Sequence, residues 1–371
     1  MTRRQLLAGM MAAPLLGQSN RNYNRTNERK NTSAQFEDMN ADSTILVDSN
    51  GNPNHMVYIP KFLLNTIDAT WAATVHPAFI VNDVEKDGIY IGKYQAGAVN
   101  GNCVSQPGLS PWTIINFDNS LAACAAMGTG WHLMTNAEWA AIALWCWKNN
   151  LQPRGNSNYG LSSDLATEGC QRVDGLKNGY TASGGACYTG SGPNGWNHNG
   201  LASGIADLNG NVWEWVGGMR QNSGEIQVIQ DNNAADNTVS QAAGSAAWKA
   251  ILQDGSLVAP GTALSLKYDD LAGAATVNVA ITGTGSPSRT FESLPAAGGV
   301  TIPQLLKQLC LFPAGSGLNS DYFWLNNAIE GIPLRGGDWT NGASCGVFVL
   351  DLSQGRSHVN SNIGFRPAFA I

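Results

Sequence analysis

The sequence predicts an α+β fold built from short strands, few helices and long irregular connections. Three observations support this: short β-rich runs bounded by turn residues, helix-period segments between them, and 43 glycines with 37 asparagines. Glycine and asparagine tolerate positive φ and favour turns, so we expect many loops. At 371 residues the chain can form one domain with large insertions, or two or three domains.

The strands are predicted from β-branched and aromatic runs. Met56–Pro60 and Gly88–Tyr94 are such runs, with turn residues on either side. Glu225–Ile229 and Ala275–Thr282 have the same pattern. Residues 221–330 mix these strand-like runs with one helix, and we interpret them as a probable insertion.

Two main helices are predicted. Asp118–Met127 is short and alanine-rich. Thr135 and Glu138 form a capping box, which opens a helix whose apolar stripe reaches Trp147 at i, i+3, i+4 spacing. That stripe predicts a buried face. A further short helix is predicted near Pro303–Leu311.

Residues 1–54 are predicted to be an N-terminal arm or signal-like segment followed by a linker. Arg3-Arg4 before the apolar run Leu6–Gly17 resembles a twin-arginine export signal, although no clear A-x-A cleavage site follows. A short amphipathic or disordered arm is the alternative, and both stay open. No stretch reaches about 18 apolar residues, so no transmembrane helix is predicted.

Composition excludes several classes of function. Net charge is −6, and charged residues make up only 13% of the chain. Without a Lys/Arg run to follow a phosphate backbone, nucleic-acid binding is not expected. The seven cysteines contain no C-x-x-C pair, which argues against structural zinc. Cys170 and Cys187 flank a glycine-rich loop and are the best candidates for a disulfide, and the odd count leaves at least one thiol unpaired.

Four segments in this order resemble the formylglycine-generating-enzyme-type (FGE-sulfatase) branch of the C-type lectin fold. They are Met56–Pro60, Gly130–Ala140, Asp207–Trp215 and Leu334–Ile371. The resemblance implies a domain over residues 55–371 with small antiparallel sheets, two main helices and long irregular insertions.

The C-terminal segment resembles variable proteins of diversity-generating retroelements of the phage or prophage type. The residues that carry this resemblance are Leu334–Trp339, with its paired glycines, and Gly364–Pro367. It implies a non-catalytic protein whose variable region, residues 334–371, recognises changing targets. It also implies display on a phage tail or bacterial surface, with trimers in some relatives.

The alternative is a metal-dependent oxidase of the formylglycine-generating or sulfoxide-synthase type. The resemblance implies that such enzymes carry two cysteines after the paired glycines, where thiolates bind copper. In this chain those places fall on Asn341 and Gly346, and Cys345 is one residue out of register. A single step along a strand reverses the side chain's direction, so we expect no catalytic residues.

Period-two patterning predicts which residues of the C-terminal segment face solvent. Phe348, Leu350 and Leu352 share one parity and are expected in the core, with the other parity exposed. Glycines, arginines and Trp339 are expected to form the frame. The remaining side chains are the candidate ligand-binding residues: Asp338, Thr340, Asn341, Ser344, Cys345, Val349, Asp351, Ser353, His358, Val359, Asn360 and Ser361.

Calcium is the one cofactor that the residues suggest. Asn209, Asn211 and Glu214 could offer oxygens to this hard cation. The alternative, which we favour, is an Asn-Gly turn with Trp213 and Trp215 packed on one face.

The sequence therefore predicts a target-binding protein that recognises a protein or glycan on a cell surface. A purely structural virion component, attached through the N-terminal arm, is a further hypothesis. The target, the oligomeric state and the choice between virion and cell surface stay open.

Overall fold

The structure is a computed structural model that describes residues 43–370. The twin-arginine-like segment and most of the predicted linker lie outside the described residues. Residues 43–54 form a strand and a turn instead of the predicted linker. Ser43–Val47 is β-branched and apolar, so it pairs readily with the next strand, Pro53–Pro60.

Three α-helices are present among residues 43–370: α1, Phe117–Ala125; α2, Asn136–Lys148; and α3, Gln304–Gln308. All three lie where the sequence predicted a helix. The capping box of α2 is confirmed, because Glu138 N donates to Thr135 Oγ1 at 3.1 Å and Thr135 N donates to Glu138 Oε2 at 2.9 Å. Every residue of α2 from Asn136 to Cys146 is buried, so this helix packs on all sides instead of along one stripe.

The strands are short, as predicted. They are β1 Ser43–Val47, β2 Pro53–Pro60, β3 Ile80–Val81, β4 Val84–Glu85, β5 Gly88–Gly92, β6 Gly97–Val99, β7 Asn102–Val104, β8 Trp131–Leu133, β9 Trp213–Trp215, β10 Met219–Asn222, β11 Glu225–Ile229, β12 Trp248–Ile251, β13 Leu257–Val258, β14 Lys267–Leu271, β15 Ala274–Asn278, β16 Ser288–Thr290, β17 Tyr322–Leu325, β18 Glu330–Gly331, β19 Leu334–Gly336, β20 Gly346–Leu352, β21 Ile363–Phe365 and β22 Pro367–Phe369.

A five-stranded antiparallel sheet joins the two ends of the described chain. Its order is β1-β2-β5-β22-β8, so the last strand lies between two strands from the first half of the chain. Ala368 pairs with both Ile91 and His132.

A seven-stranded antiparallel sheet contains most of the strands of the predicted insertion. It has the order β13-β12-β11-β10-β18, with β14 and β15 added beside β11. Ile226, Tyr268 and Val277 from this sheet belong to the same apolar cluster as α2. The assignment of residues 221–330 as an insertion stays a prediction.

A six-stranded mixed sheet holds the C-terminal segment. Its order is β16-β17-β20-β19-β9-β21, with β17 parallel to β20 and β21 parallel to β9. An apolar cluster packs on each face: Phe348 and Leu350 lie in one, Val349 and Trp215 in the other. The α+β class with few helices and small sheets is confirmed.

No helix among residues 43–370 combines the length and the apolar character that crossing a bilayer requires. The disulfide between Cys170 and Cys187 is present, as the sequence predicted.

Candidate binding surface

Two loops flank the central strand β20 and carry most of the candidate ligand-binding residues. The first loop is residues 337–345 and the second loop is residues 353–362. Eight candidates are exposed or half-exposed there, and we call them the two-loop surface: Thr340, Asn341, Ser344, Ser353, His358, Val359, Asn360 and Ser361. Val359 is 45% exposed.

A buried ion pair holds the strands below these loops. Arg366 donates to both carboxylate oxygens of Glu214, at 2.9 and 2.6 Å, and neither residue is more than 1% exposed. The same guanidinium donates to Gly92 O and Ala206 O, both at 2.9 Å. Since these partners come from three separate segments, Arg366 fixes the junction of β21 and β22 against the rest of the domain.

Arg335 is a second buried anchor, and its partners are uncharged oxygens. Its guanidinium donates to Asn136 Oδ1 at 2.6 Å, Cys310 O at 3.0 Å and Val349 O at 3.1 Å. Burial lowers the pKa of Arg335 to about 10. The frame role that the sequence predicted for both arginines agrees with this position.

The first loop is organised by Asp338. Thr340 donates its N–H and its hydroxyl to Asp338 Oδ1, both at 2.7 Å, and Asp338 N donates to Asn341 Oδ1 at 2.8 Å. Gly336 and Gly337, at φ +84° each, supply the left-handed turn that precedes the loop. Asp338 is 1% exposed, so it positions Thr340 instead of contacting a target directly.

The second loop is tethered at several points. Asn362 Nδ2 donates to Asp338 Oδ2, which joins the two loops. Ile114 N donates to Asn360 O at 3.0 Å, and Phe117 N donates to Arg356 O at 3.3 Å. The segment leading into α1 therefore supports the second loop from below.

Arg356 is the main side-chain anchor within the second loop. It donates to Asp118 Oδ1 at 2.5 Å, to Glu330 Oε2 at 3.2 Å and to Gln241 O at 2.9 Å. Its guanidinium also lies 5.2 Å from the centre of the Phe117 ring. Three distant segments thus fix the loop while its outer side chains remain exposed.

Four of the predicted contact residues are buried, which corrects the sequence prediction. Val349 is fully buried, and Asp338, Cys345 and Asp351 are 1%, 5% and 8% exposed. The alternation along β20 is real, but β20 lies between β17 and β19, and an apolar cluster covers its second face as well as its first. Burial raises the pKa of Asp351, partly offset by hydrogen bonds from Ser353.

Two half-buried aromatic side chains near this surface were missed by the sequence analysis. Tyr322 and Trp324 lie on β17, with Trp324 paired opposite Asp351. The Trp324 ring centre is 4.8 Å from that of Tyr322 and 5.6 Å from that of Trp213. The alternation within Tyr322–Leu325, whose other two side chains are buried, is the signal that could have identified them.

At Gly346, one of the two places where the family resemblance implies a cysteine in the catalytic relatives, the Asp321 carboxyl group occupies the space beside the backbone. A Cβ at Gly346 would lie 2.1 Å from Asp321 Oδ1, a distance that no side chain can adopt. Asp321 accepts from Phe348 N at 2.7 Å, and burial raises its pKa well above the usual range. The Cys345 thiol is buried and donates to Asp338 O at 3.1 Å.

The calcium candidates are engaged by donors from the protein itself. Arg366 binds both oxygens of Glu214, and Cys187 N donates to Asn211 Oδ1 at 2.7 Å. Asn211 has φ +64°, as expected of the turn that we favoured. Of the three calcium candidates, Asn209 alone has a buried side-chain oxygen, Oδ1, without a hydrogen-bond partner in the described part of the chain. Within residues 43–370 no group of three or more His, Cys, Asp or Glu side chains could hold a metal ion.

Comparisons with known proteins give a family match and a distant structural likeness. The family model described as the sulfatase-modifying factor enzyme 1-like domain matches residues 24–254 and ends before the C-terminal segment. The solved structure titled "Major Tropism Determinant U1 Variant" has 13% sequence identity and a TM-score of 0.29, covering 88% of this chain and 72% of that chain. No curated protein matches.

Proposed function

We propose that this chain, which belongs to the sulfatase-modifying factor enzyme 1-like domain family, is a binding protein and not a metal-dependent oxidase. The proposed binding site is the two-loop surface, with Tyr322 and Trp324 at its margin.

The position of Asp321 argues against the oxidase alternative. A copper site of the kind implied by the family resemblance needs two thiolates, and neither Asn341 nor Gly346 supplies one. At Gly346 the Asp321 carboxyl group fills the space that a cysteine side chain would need. Cys345, the nearest thiol, is buried and donates to Asp338 O at 3.1 Å, so it is engaged inside the first loop.

The observation that carries the binding proposal is the contrast between exposed side chains and a fixed backbone. Thr340, Val359 and Asn360 are exposed, whereas Asp338 accepts from the backbone of Thr340. Arg356 anchors the second loop to Asp118 and Glu330. A pre-ordered scaffold loses little entropy on binding, and its outer side chains can change without altering the fold.

The proposed target is a protein or a glycan on a cell surface. We further propose that the two-loop surface is diversified by a retroelement, and that the protein is displayed on a phage tail or a bacterial surface. A homotrimer, and attachment to a virion through the N-terminal arm, belong to the same proposal.

The first test replaces Thr340, His358, Val359 and Asn360 together by alanine. Binding is measured on a glycan array and on a panel of intact bacterial cells. We expect binding to be lost and the melting temperature to stay within a few degrees, because exposed substitutions cost little stability. Unchanged binding would contradict the proposed surface.

A matched control and a metal analysis complete the test. Leu271→Ser with Ala274→Asn changes exposed side chains of the β14–β15 hairpin and should leave binding unchanged. Stoichiometric copper or iron in the purified protein would support the oxidase alternative. A near-copy of codons 334–371 beside a reverse-transcriptase gene in the surrounding DNA would support diversification.

A further inference from the structure

Two buried cysteines from different elements meet beneath the second loop. Cys103 lies on β7 and Cys124 near the end of α1, and they are 2% and 0% exposed. Both are free thiols in this structure, and β7 lies against α1. The two side chains interact with each other. Both belong to the apolar cluster that also contains Phe117 and Val349.

We propose that Cys103 and Cys124 form a second disulfide, which joins β7 to α1 when the chain folds in an oxidising environment. A disulfide forms between cysteines on segments that lie side by side, and Cys103 and Cys124 lie on contacting elements within one apolar cluster. The bridge between Cys170 and Cys187 supports the proposal, because a chain that forms one disulfide meets an oxidant for the other.

The oxidant is a small or protein disulfide, and the reaction is thiol–disulfide exchange. One cysteine thiolate attacks a sulfur of the oxidant, whose S–S bond breaks to release one oxidant thiolate. The second cysteine thiolate then attacks the mixed disulfide, forming the Cys103–Cys124 bond and releasing the second oxidant thiolate. The two protons lost by the cysteines end on the two oxidant thiols, so the cysteines are oxidised and the oxidant is reduced.

Burial decides when this exchange takes place. It raises the pKa of Cys124 well above the ordinary thiol value, which leaves little thiolate in the folded protein. The exchange therefore belongs to the stage of folding before α1 closes over β7. Once formed, the bridge is shielded from external reductants.

The bridge would stiffen the support of the second loop. The end of α1 opposite Cys124 carries Phe117 and Asp118, which bond to the backbone and side chain of Arg356. Cross-linking the helix to β7 therefore fixes the base on which Arg356 rests. This consequence for target binding rests on the proposed function, whereas the disulfide itself does not.

The test counts thiols in the full chain. The reduced protein is unfolded in guanidinium, refolded with a mixture of oxidised and reduced glutathione, and alkylated with iodoacetamide under denaturing conditions. We expect three alkylated cysteines, Cys146, Cys310 and Cys345, and a Cys103–Cys124 linked peptide after digestion. Five alkylated cysteines, with Cys170 and Cys187 linked, would overturn the proposal.

Single variants check the pairing. Cys124→Ser should leave four alkylated cysteines, because Cys103 loses its partner, and the control Cys146→Ser should leave two. Two alkylated cysteines in Cys124→Ser would mean that Cys103 pairs elsewhere, which also overturns the proposal. The linked peptide of the unsubstituted chain is decisive even if a variant fails to fold.

Discussion

Removal of Arg366 offers the sharpest test of how the C-terminal frame is stabilised. The substitution Arg366→Met keeps the aliphatic length of the side chain and removes the guanidinium. It leaves the Glu214 carboxylate buried at 1% exposure without its bidentate partner, and removes donors from Gly92 O and Ala206 O. The loss therefore combines an unpaired buried charge with two backbone acceptors that lose a donor.

The size of the effect follows from the burial of both partners. Breaking a buried ion pair from one side costs about 3–5 kcal/mol. The entropy of unfolding is about 2.1 cal/mol/K per residue, so for residues 43–370 the total entropy of unfolding is roughly 0.7 kcal/mol/K. The melting temperature should therefore fall by roughly 4–7 °C. Adding Glu214→Leu should restore part of the loss, because the charge left unpaired is then removed.

The assay is thermal unfolding followed by circular dichroism, with a surface ion pair as control. Lys61 Nζ lies 2.6 Å from Glu85 Oε1, but the two side chains are 25% and 49% exposed. Lys61→Met should therefore cost less than about 1 kcal/mol. If Arg366→Met and Lys61→Met shift the melting temperature equally, the argument from burial is refuted.

Three further predictions concern the pH dependence of stability, the room for a side chain at Gly346, and the order of the second loop. Burial raises the pKa of Asp207 to about 6, so between about pH 4 and pH 6 the folded state holds a proton that the unfolded chain has released. The free energy of unfolding should therefore fall by roughly 3 kcal/mol as the pH rises from about 4 to 6. Urea unfolding should show that Asp207→Asn lacks this loss. Gly346→Ala should destabilise by about 1–3 kcal/mol because its Cβ has no room, whereas Gly244→Ala, with open space around it, should be nearly neutral in the same assay. Arg356→Met should speed amide hydrogen exchange across residues 353–362, and unchanged exchange would show that the loop is held without its side-chain bonds.

Short-range sequence patterns predicted the structural elements that are determined by interactions between residues close together in the sequence. The α2 start was predictable because Thr135 and Glu138 lie within one helical turn and satisfy each other's backbone groups. The Cys170–Cys187 bridge was predictable because both cysteines flank one short loop. The strand Glu225–Ile229 was predicted with its observed limits.

Exposure within the C-terminal segment depended on residues far away in the sequence. Alternation along β20 correctly separated its two faces, but it could not show that both are covered. Val349 is buried by a cluster that includes Trp213 and Phe117, residues more than a hundred positions upstream. Similarly, Asp321 reaches Gly346 only because β17 lies beside β20. Such packing has no signature in the local pattern.

The central place of β22 in the five-stranded sheet has a consequence for biosynthesis. Hydrogen bonds join β22 to β5 and β8, which are synthesised long before it. The sheet cannot be completed until Pro367–Phe369 has been made, so β5 and β8 wait for their common neighbour while residues 134–366 are synthesised. A premature stop between β8 and β22 would therefore remove an interior strand and expose two unpaired strand edges, a state prone to aggregation.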